Sequence, residues 1–441
     1  MQLNKLKPNT MQAPDMMLES DTAIKTKLKQ APAWLFVLYV SVSAFSVYAC
    51  MYGFRKPFTA ASFSGVTFLG ISYKSVLVIS QAIGYMISKF LGIRFIAGMQ
   101  PQKRSATIIK LIITSWLALL LFAVVPAPYN FIFIFINALP LGMIWGLVFG
   151  FVEGRRTTEL LGAVLATSFI FASGLAKTAG KWLMLDMHVS EWWMPFAAGG
   201  IFIIPLFIST WLLKQTPAPT ADDIAHRTVR LPMDKAQRKA FITHFGIALI
   251  PVIIAYVMLT ILRDFSEDFA NELWSETGYQ NNAGIFAQTS TVISIIILAV
   301  IGGFFLLKNN YKAFQLNHTI IIIGFALAAA STFLYHLHYI SPVIWIVCAA
   351  SGLYLGYVPY NCFYFERMLA AYKVPGNVGF VMYIADAFGY MGTVIVLLVK
   401  ELVHIKYSWV DFFTMLFYTA AAGGILLVVF GSALFSKLYK K

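Results

Sequence analysis

Charge is what this chain has least of. Asp, Glu, Lys and Arg make up 12% of its 441 residues, about half the share of an ordinary soluble protein. A soluble globular enzyme is excluded on that ground, and a disordered chain is excluded because aromatics alone reach 16%. Cysteine is also scarce. Cys50, Cys348 and Cys362 all lie in apolar runs without metal or disulfide spacing, which excludes a disulfide framework and a zinc site. The 7 histidines carry no ligand motif, so no metal is expected. No G-x-x-x-x-G-K-S/T loop is present to supply ATP drive. No catalytic constellation has plausible spacing and the loops are too short for a soluble active site, so neither an enzyme nor a cofactor is implied. Acidic residues number 19 against 33 Lys and Arg, for a net charge of +14. In a soluble protein that excess would point to nucleic acid. Here it reads as basic cytoplasmic loops.

What is abundant is apolar sequence: 59% of residues, with a mean hydropathy of +0.75. At roughly 20 residues per crossing, the length allows about twelve transmembrane helices. Apolar runs fall near 33–54, 74–98, 106–126, 129–153, 159–183, 191–213, 241–263, 284–307, 318–338, 342–366, 376–400 and 408–436. The expected fold is an all-α integral membrane protein with the lipid bilayer as its medium. The first thirty residues are polar and no small-residue cleavage site follows the first run, so that run is expected to be retained. The one long polar insert, 214–240, is Pro-rich and central. The organisation read from this is a cytoplasmic tail 1–32, a six-helix bundle 33–213, a cytoplasmic linker 214–240 and a second six-helix bundle 241–441. With both termini in the cytoplasm, 24 of the 33 Lys and Arg fall on that side, 7 on the other, and Lys89 and Lys177 within helices.

A weak repeat supports two halves. Tyr48, Tyr52 and Arg55 in the first run share their spacing with Tyr256, Thr260 and Arg263 in the seventh. Gly142 and Gly146 match Gly352 and Gly356, and Gly162 matches Gly376. Near-equal shifts in corresponding helices are the mark of a transporter built from two similar bundles. The glycine pairs read as close helix packing.

A cation at the centre of a membrane helix costs about 2.5–3.5 kcal/mol on insertion scales. Arg55 and Lys56 close the first run, with Tyr48 and Tyr52 beneath Arg55 on one helix face. They read either as an interfacial anchor or as an anion-binding fork, since a guanidinium donates bidentate hydrogen bonds to phosphate. Arg263, followed by Asp264, Glu267 and Asp268, reads either as a local ion pair or as the partner of Arg55 across the pseudo-axis. Lys89 shares a stripe with Gln81 and Tyr85, roughly 13 Å from the cytoplasmic end of its helix. Asp386 lies roughly 15 Å from the corresponding end of the eleventh. Their matched depth predicts a Lys89–Asp386 pair in one access state. Lys177 and Lys181 are expected to pair with Asp186 or with the acids after Arg263. Glu153, Arg155, Arg156, Glu366 and Arg367 read as gate or loop charges.

These segments resemble the major facilitator superfamily, and within it the organophosphate:phosphate antiporter branch. The resemblance rests on YACMYGFRKPFTAASF in the first helix, IGYMISKFLG in the second, YVMLTILRDF in the seventh and GNVGFVMYIADAFGYMGTVIV in the eleventh. It implies that Arg55 and Arg263 bind a phosphate moiety, that Lys56 and Lys89 assist, and that the protein is a monomer exchanging phosphate for phosphorylated solutes. Tyr48, Tyr52, Tyr85 and Tyr256 complete the expected substrate site. Two features depart from that branch. The fifth-helix stretch ATSFIFASG offers Ser168, Phe171 and Ser173 but no histidine, and the loop GIRFIAGMQPQKR has no aspartate.

The expected function is secondary transport of a small anionic solute across the cell (inner) membrane by alternating access. Two readings stand beside it: a proton-coupled carrier of a carboxylate or other small solute using Asp386, and a non-transporting membrane sensor with the same fold.

Overall fold

The computed structural model describes residues 22–440 except 98, 156, 221–222, 224–234, 305–306, 374–377 and 403–406. Gly376, Arg156, most of the expected tail and much of the expected linker lie outside the described residues.

Because lipid offers no hydrogen bonds, each crossing must satisfy its own backbone, and the apolar runs do so as helices. Eleven helical segments among the described residues are long and apolar enough to span a membrane. The twelfth expected span is the 25-residue helix Val378–Leu402. Taking these eleven with that helix and numbering the twelve as spans in chain order, they are Ala33–Tyr52, Tyr73–Ala97, Arg104–Val124, Phe131–Val152, Thr158–Leu185, Met194–Lys214, Lys235–Asp268, Ile285–Gly303, Asn310–His336, Pro342–Tyr372, Val378–Leu402 and Trp409–Tyr439. A short helix, Ala23–Gln30, precedes them, capped by Thr22 accepting from the Lys25 N–H. A two-residue ladder, Thr67–Phe68 against Ile71–Ser72, turns the chain into the second span.

The first span packs on the fifth and sixth, and the fourth packs on the second and third. In the later half the seventh packs on the eleventh and twelfth, and the ninth on the tenth and twelfth. The two sets meet where the fifth span lies on the eighth and the second on the eleventh. This is the all-α arrangement of two six-helix bundles expected of a major facilitator fold. Ile204, Ile247, Ile295, Leu426 and Phe430 are more than half exposed and form part of the lipid-facing surface.

Glycine sets the closest approaches. A Cβ on Gly324 or on Gly352 would lie 2.4 Å from the other residue's carbonyl oxygen, so the ninth and tenth spans touch backbone to backbone there. At Gly53 a Cβ would lie 2.1 Å from the Phe202 ring. The first span ends at Tyr52, and the turn after Gly53 carries the chain inward.

The seventh span differs from the sequence reading. It continues past 263 to Asp268. The apolar run stops at 263, yet the helix carries Asp264, Glu267 and Asp268 on, because each is engaged by a cation inside the protein. Neutralised in this way, they are compatible with buried helix. The tenth span also departs from a plain helix: it loosens to a π-turn at Tyr360–Tyr364, a feature frequent at functional sites.

Candidate functional site

A cavity of about 90 Å³ lies between the two halves. By the same measure one water needs ~10–15 Å³, so the space suits several waters or a small solute. Arg55, Lys56, Tyr48, Tyr52, Tyr85 and Lys89 line it from the first half, and Arg263 and Asp386 from the second.

Arg55 stands just beyond the first span, where its N–H donates to the Tyr52 carbonyl at 3.0 Å. Gln81 in the second span donates to the Arg55 carbonyl at 2.9 Å and ties the turn to that helix. The Arg55 guanidinium carbon sits 4.0 Å from the centre of the Tyr85 ring, and one terminal nitrogen donates to the Tyr52 hydroxyl at 3.4 Å. Its Nε is buried without a hydrogen-bond partner, and among the described residues no carboxylate is within ion-pair distance. Arg55 is half-buried, and a charge partly withdrawn from water without a counter-charge carries a cost. The position is therefore one that an anion would relieve.

Arg263 is differently placed. Its Nε and one terminal nitrogen donate to the Asp264 carboxylate at 3.0 and 2.6 Å, and its other terminal nitrogen donates to the Tyr357 hydroxyl. Thr393 donates to the second Asp264 oxygen at 2.8 Å and fixes that carboxylate. The two arginines share one cavity, as the repeat led us to expect, but only Arg55 lacks an acid. The local ion pair considered for Arg263 is present, together with a cavity-lining position.

Lys89 lies 3.6 Å from Asp386, so the pair expected from matched depth is formed here. The Tyr256 hydroxyl donates to Asp386 at 2.5 Å. Tyr256 does not line the cavity. It stacks on Tyr357 at 5.4 Å between centroids and is 2% exposed. The residue at the position matching Tyr48 thus sits one layer deeper, because Tyr357 from the tenth span takes the lining place.

Above the cavity, at the end where the first span closes, ion pairs bind the halves together. Lys56 pairs with Asp268, Lys74 with Glu272 at 2.6 Å and Lys177 with Glu267 at 2.6 Å. All three lysines are 4% exposed. Ser173 and Tyr354 also donate to Glu267, and Ser72 and Ser75 to Glu401 at 2.9 and 2.6 Å. Of the two expectations for the late fifth-helix lysines, Lys177 finds an acid after Arg263. Lys181 instead donates to the Asn271 side chain at 2.9 Å. At the opposite end Arg155 donates to the Pro217 carbonyl, and Arg367 donates to the Asn310 side chain at 2.7 Å.

The glycine pairs behave as packing positions: Gly142 meets Ser88, Gly146 meets Ile96 and Gly356 meets Leu259.

Sequence reasoning missed most of the aromatic wall: Trp145, Phe169, Tyr354, Tyr357 and Tyr390. A signal was present for some of it. Met382, Asp386 and Tyr390 recur every fourth residue in the eleventh span. Tyr354, Tyr357 and Asn361 recur at three and four in the tenth, and all six residues line the cavity.

Solved transporters share this fold. A D-xylose–proton symporter aligns at a TM-score of 0.58 with 14% identity, over 91% of this chain and 97% of that one. A peptide transporter POT, solved with alafosfalin, aligns at 0.59 with 14% identity, over 95% and 98%. The nucleoside transporter NupG aligns at 0.57 with 13% identity, over 92% and 99%. At such identities the likeness is one of fold, the major facilitator arrangement. No curated protein sequence matches the chain. Its family is set by sequence: residues 57–438 match the model of the family of unknown function DUF5690, and the chain belongs to that family.

Proposed function

We propose that this protein is a secondary transporter of the cell (inner) membrane, with both termini cytoplasmic, that moves a small anion by alternating access between its two halves. The anion sits at Arg55, with Arg263, Lys56 and Lys89 around it. Phosphorylated solutes and inorganic phosphate are the class that the sequence resemblance favours. The observation that carries the reading is Arg55 itself, a guanidinium bordering a cavity between the bundles with, among the described residues, no hydrogen-bond partner at Nε and no carboxylate partner. The fold supports transport as the use of that site.

Counterflow in phosphate-loaded liposomes, with a panel of organophosphates, tests it. Exchange by the wild type and its loss in Arg55→Ala and Arg263→Ala are expected. Exchange that survives both substitutions removes the site from the mechanism.

A second reading rests on Asp386, which faces the same cavity with Lys89 at 3.6 Å and Tyr256 donating to it. In this reading the carboxyl carries a proton coupled to the movement of a carboxylate or another solute. Uptake that follows a proton gradient and ignores phosphate would favour it.

A further inference from the structure

Among the described residues, the charges around the cavity nearly cancel, and what remains is one positive charge. The cations are Arg55, Lys56, Lys89, Lys177 and Arg263. The carboxylates are Asp264, Glu267, Asp268 and Asp386. Each carboxylate sits within ion-pair distance of a different cation, and the cation left over is Arg55. Asp264 is what separates this site from a double-arginine clamp. Held by Thr393, it accepts two hydrogen bonds from Arg263 and cancels the second guanidinium. A ligand bearing one negative charge closes the balance. A ligand bearing two leaves an uncompensated anion in a site only partly open to water, which is costly.

The walls say what else the ligand carries. Tyr85 and Tyr390, 5.8 Å apart, close one side across the two halves. Phe169 meets Tyr354 at 5.8 Å and Tyr357 at 6.1 Å and closes another. Tyr85 already carries the Arg55 guanidinium and Tyr357 stacks on Tyr256, which leaves Phe169, Tyr354 and Tyr390 as lining rings to meet an apolar, flat group.

We propose that the cargo is a singly charged organic anion with a flat ring, a carboxylate or a phosphodiester, bound in preference to a phosphate monoester or inorganic phosphate. This rests on the reading that an anion binds at Arg55; it departs from the phosphate class that the sequence resemblance favours and sets charge and shape by the lining instead.

Binding by the full-length protein, purified in detergent and followed by calorimetry at pH 8, separates the two claims. Benzoate and methyl phenyl phosphate each carry one charge and a ring. Acetate carries one charge and no ring, phenyl phosphate two charges and a ring, and sulfate two charges and no ring. The expected result is binding of benzoate, methyl phenyl phosphate or both about tenfold or more tighter than of the other three, an order of magnitude reasonable for one unpaired charge in a partly screened site against the dianions and for the burial and stacking of one ring against acetate. Whichever of the two binds more tightly identifies the head group. Arg55→Ala is expected to abolish binding of both. Asp264→Asn frees the second guanidinium and is expected to shift preference towards phenyl phosphate and sulfate by a similar factor.

If phenyl phosphate or sulfate binds the wild type as tightly as the ringed monoanions, the charge assignment is overturned while the anion site stands. Acetate binding as tightly as benzoate overturns the ring assignment. If none of the five binds, the anion site falls as well. Should Asp264→Asn fail to fold, the wild-type comparison decides alone.

Discussion

Arg55 and Tyr85 are stacked, with the guanidinium carbon 4.0 Å from the ring centre. The pairing offers about 0.5–2 kcal/mol of cation–π attraction and no counter-charge. Arg55→Ala is therefore expected to leave the melting temperature in detergent unchanged or raised, while abolishing anion-induced stabilisation. Scanning calorimetry with and without ligand checks both. A clear loss of intrinsic stability would mark Arg55 as a structural anchor instead.

Lys89 and Asp386 join the second and eleventh spans at 3.6 Å. Lys89→Ala and Asp386→Asn are each expected to depress exchange in liposomes. The swapped double variant Lys89→Asp with Asp386→Lys is expected to recover part of it, because the pair survives with its polarity reversed. No recovery under any gradient would count against a working pair.

Lys56 and Asp268 are buried together at the end of the cavity where the first span stops, at 4% and 7% exposure. Removing one partner strands the other, and breaking such a pair costs about 3–5 kcal/mol. Lys56→Ala should lower the melting temperature markedly, and adding Asp268→Ala should return part of the loss. Purely additive single effects in the double-mutant cycle would show that the two are not coupled.

Gly324 and Gly352 hold the ninth and tenth spans at backbone contact. Alanine at either position has to push the helices apart, at about 1–3 kcal/mol. Thermal unfolding of the single variants checks this. Wild-type stability in both would mean that the interface yields at little cost.

The sequence made the spans legible because lipid imposes a demand that each segment meets alone: about twenty apolar residues in a row. The second span was expected at 74–98 and runs Tyr73–Ala97. Arg55, Lys89, Arg263 and Asp386 stood out for a related reason, since a charge in such a segment is expensive wherever the helix packs. The aromatic wall did not stand out. Tyr354 or Phe169 in an apolar helix reads the same whether it faces lipid, a neighbouring helix or a cavity.

The sequence by itself determined the all-α membrane fold, the approximate limits of most spans and the few polar residues that had to turn inward. Both follow from local chemistry set against a hydrocarbon medium. Only the tertiary structure decided which cation meets which acid. Asp264 neutralises Arg263, Asp268 takes Lys56, and Tyr357 displaces Tyr256 from the lining. Among the described charges around the cavity, Arg55 is left without an acid because pairing depends on distances across helix interfaces, which spacing along the chain does not encode.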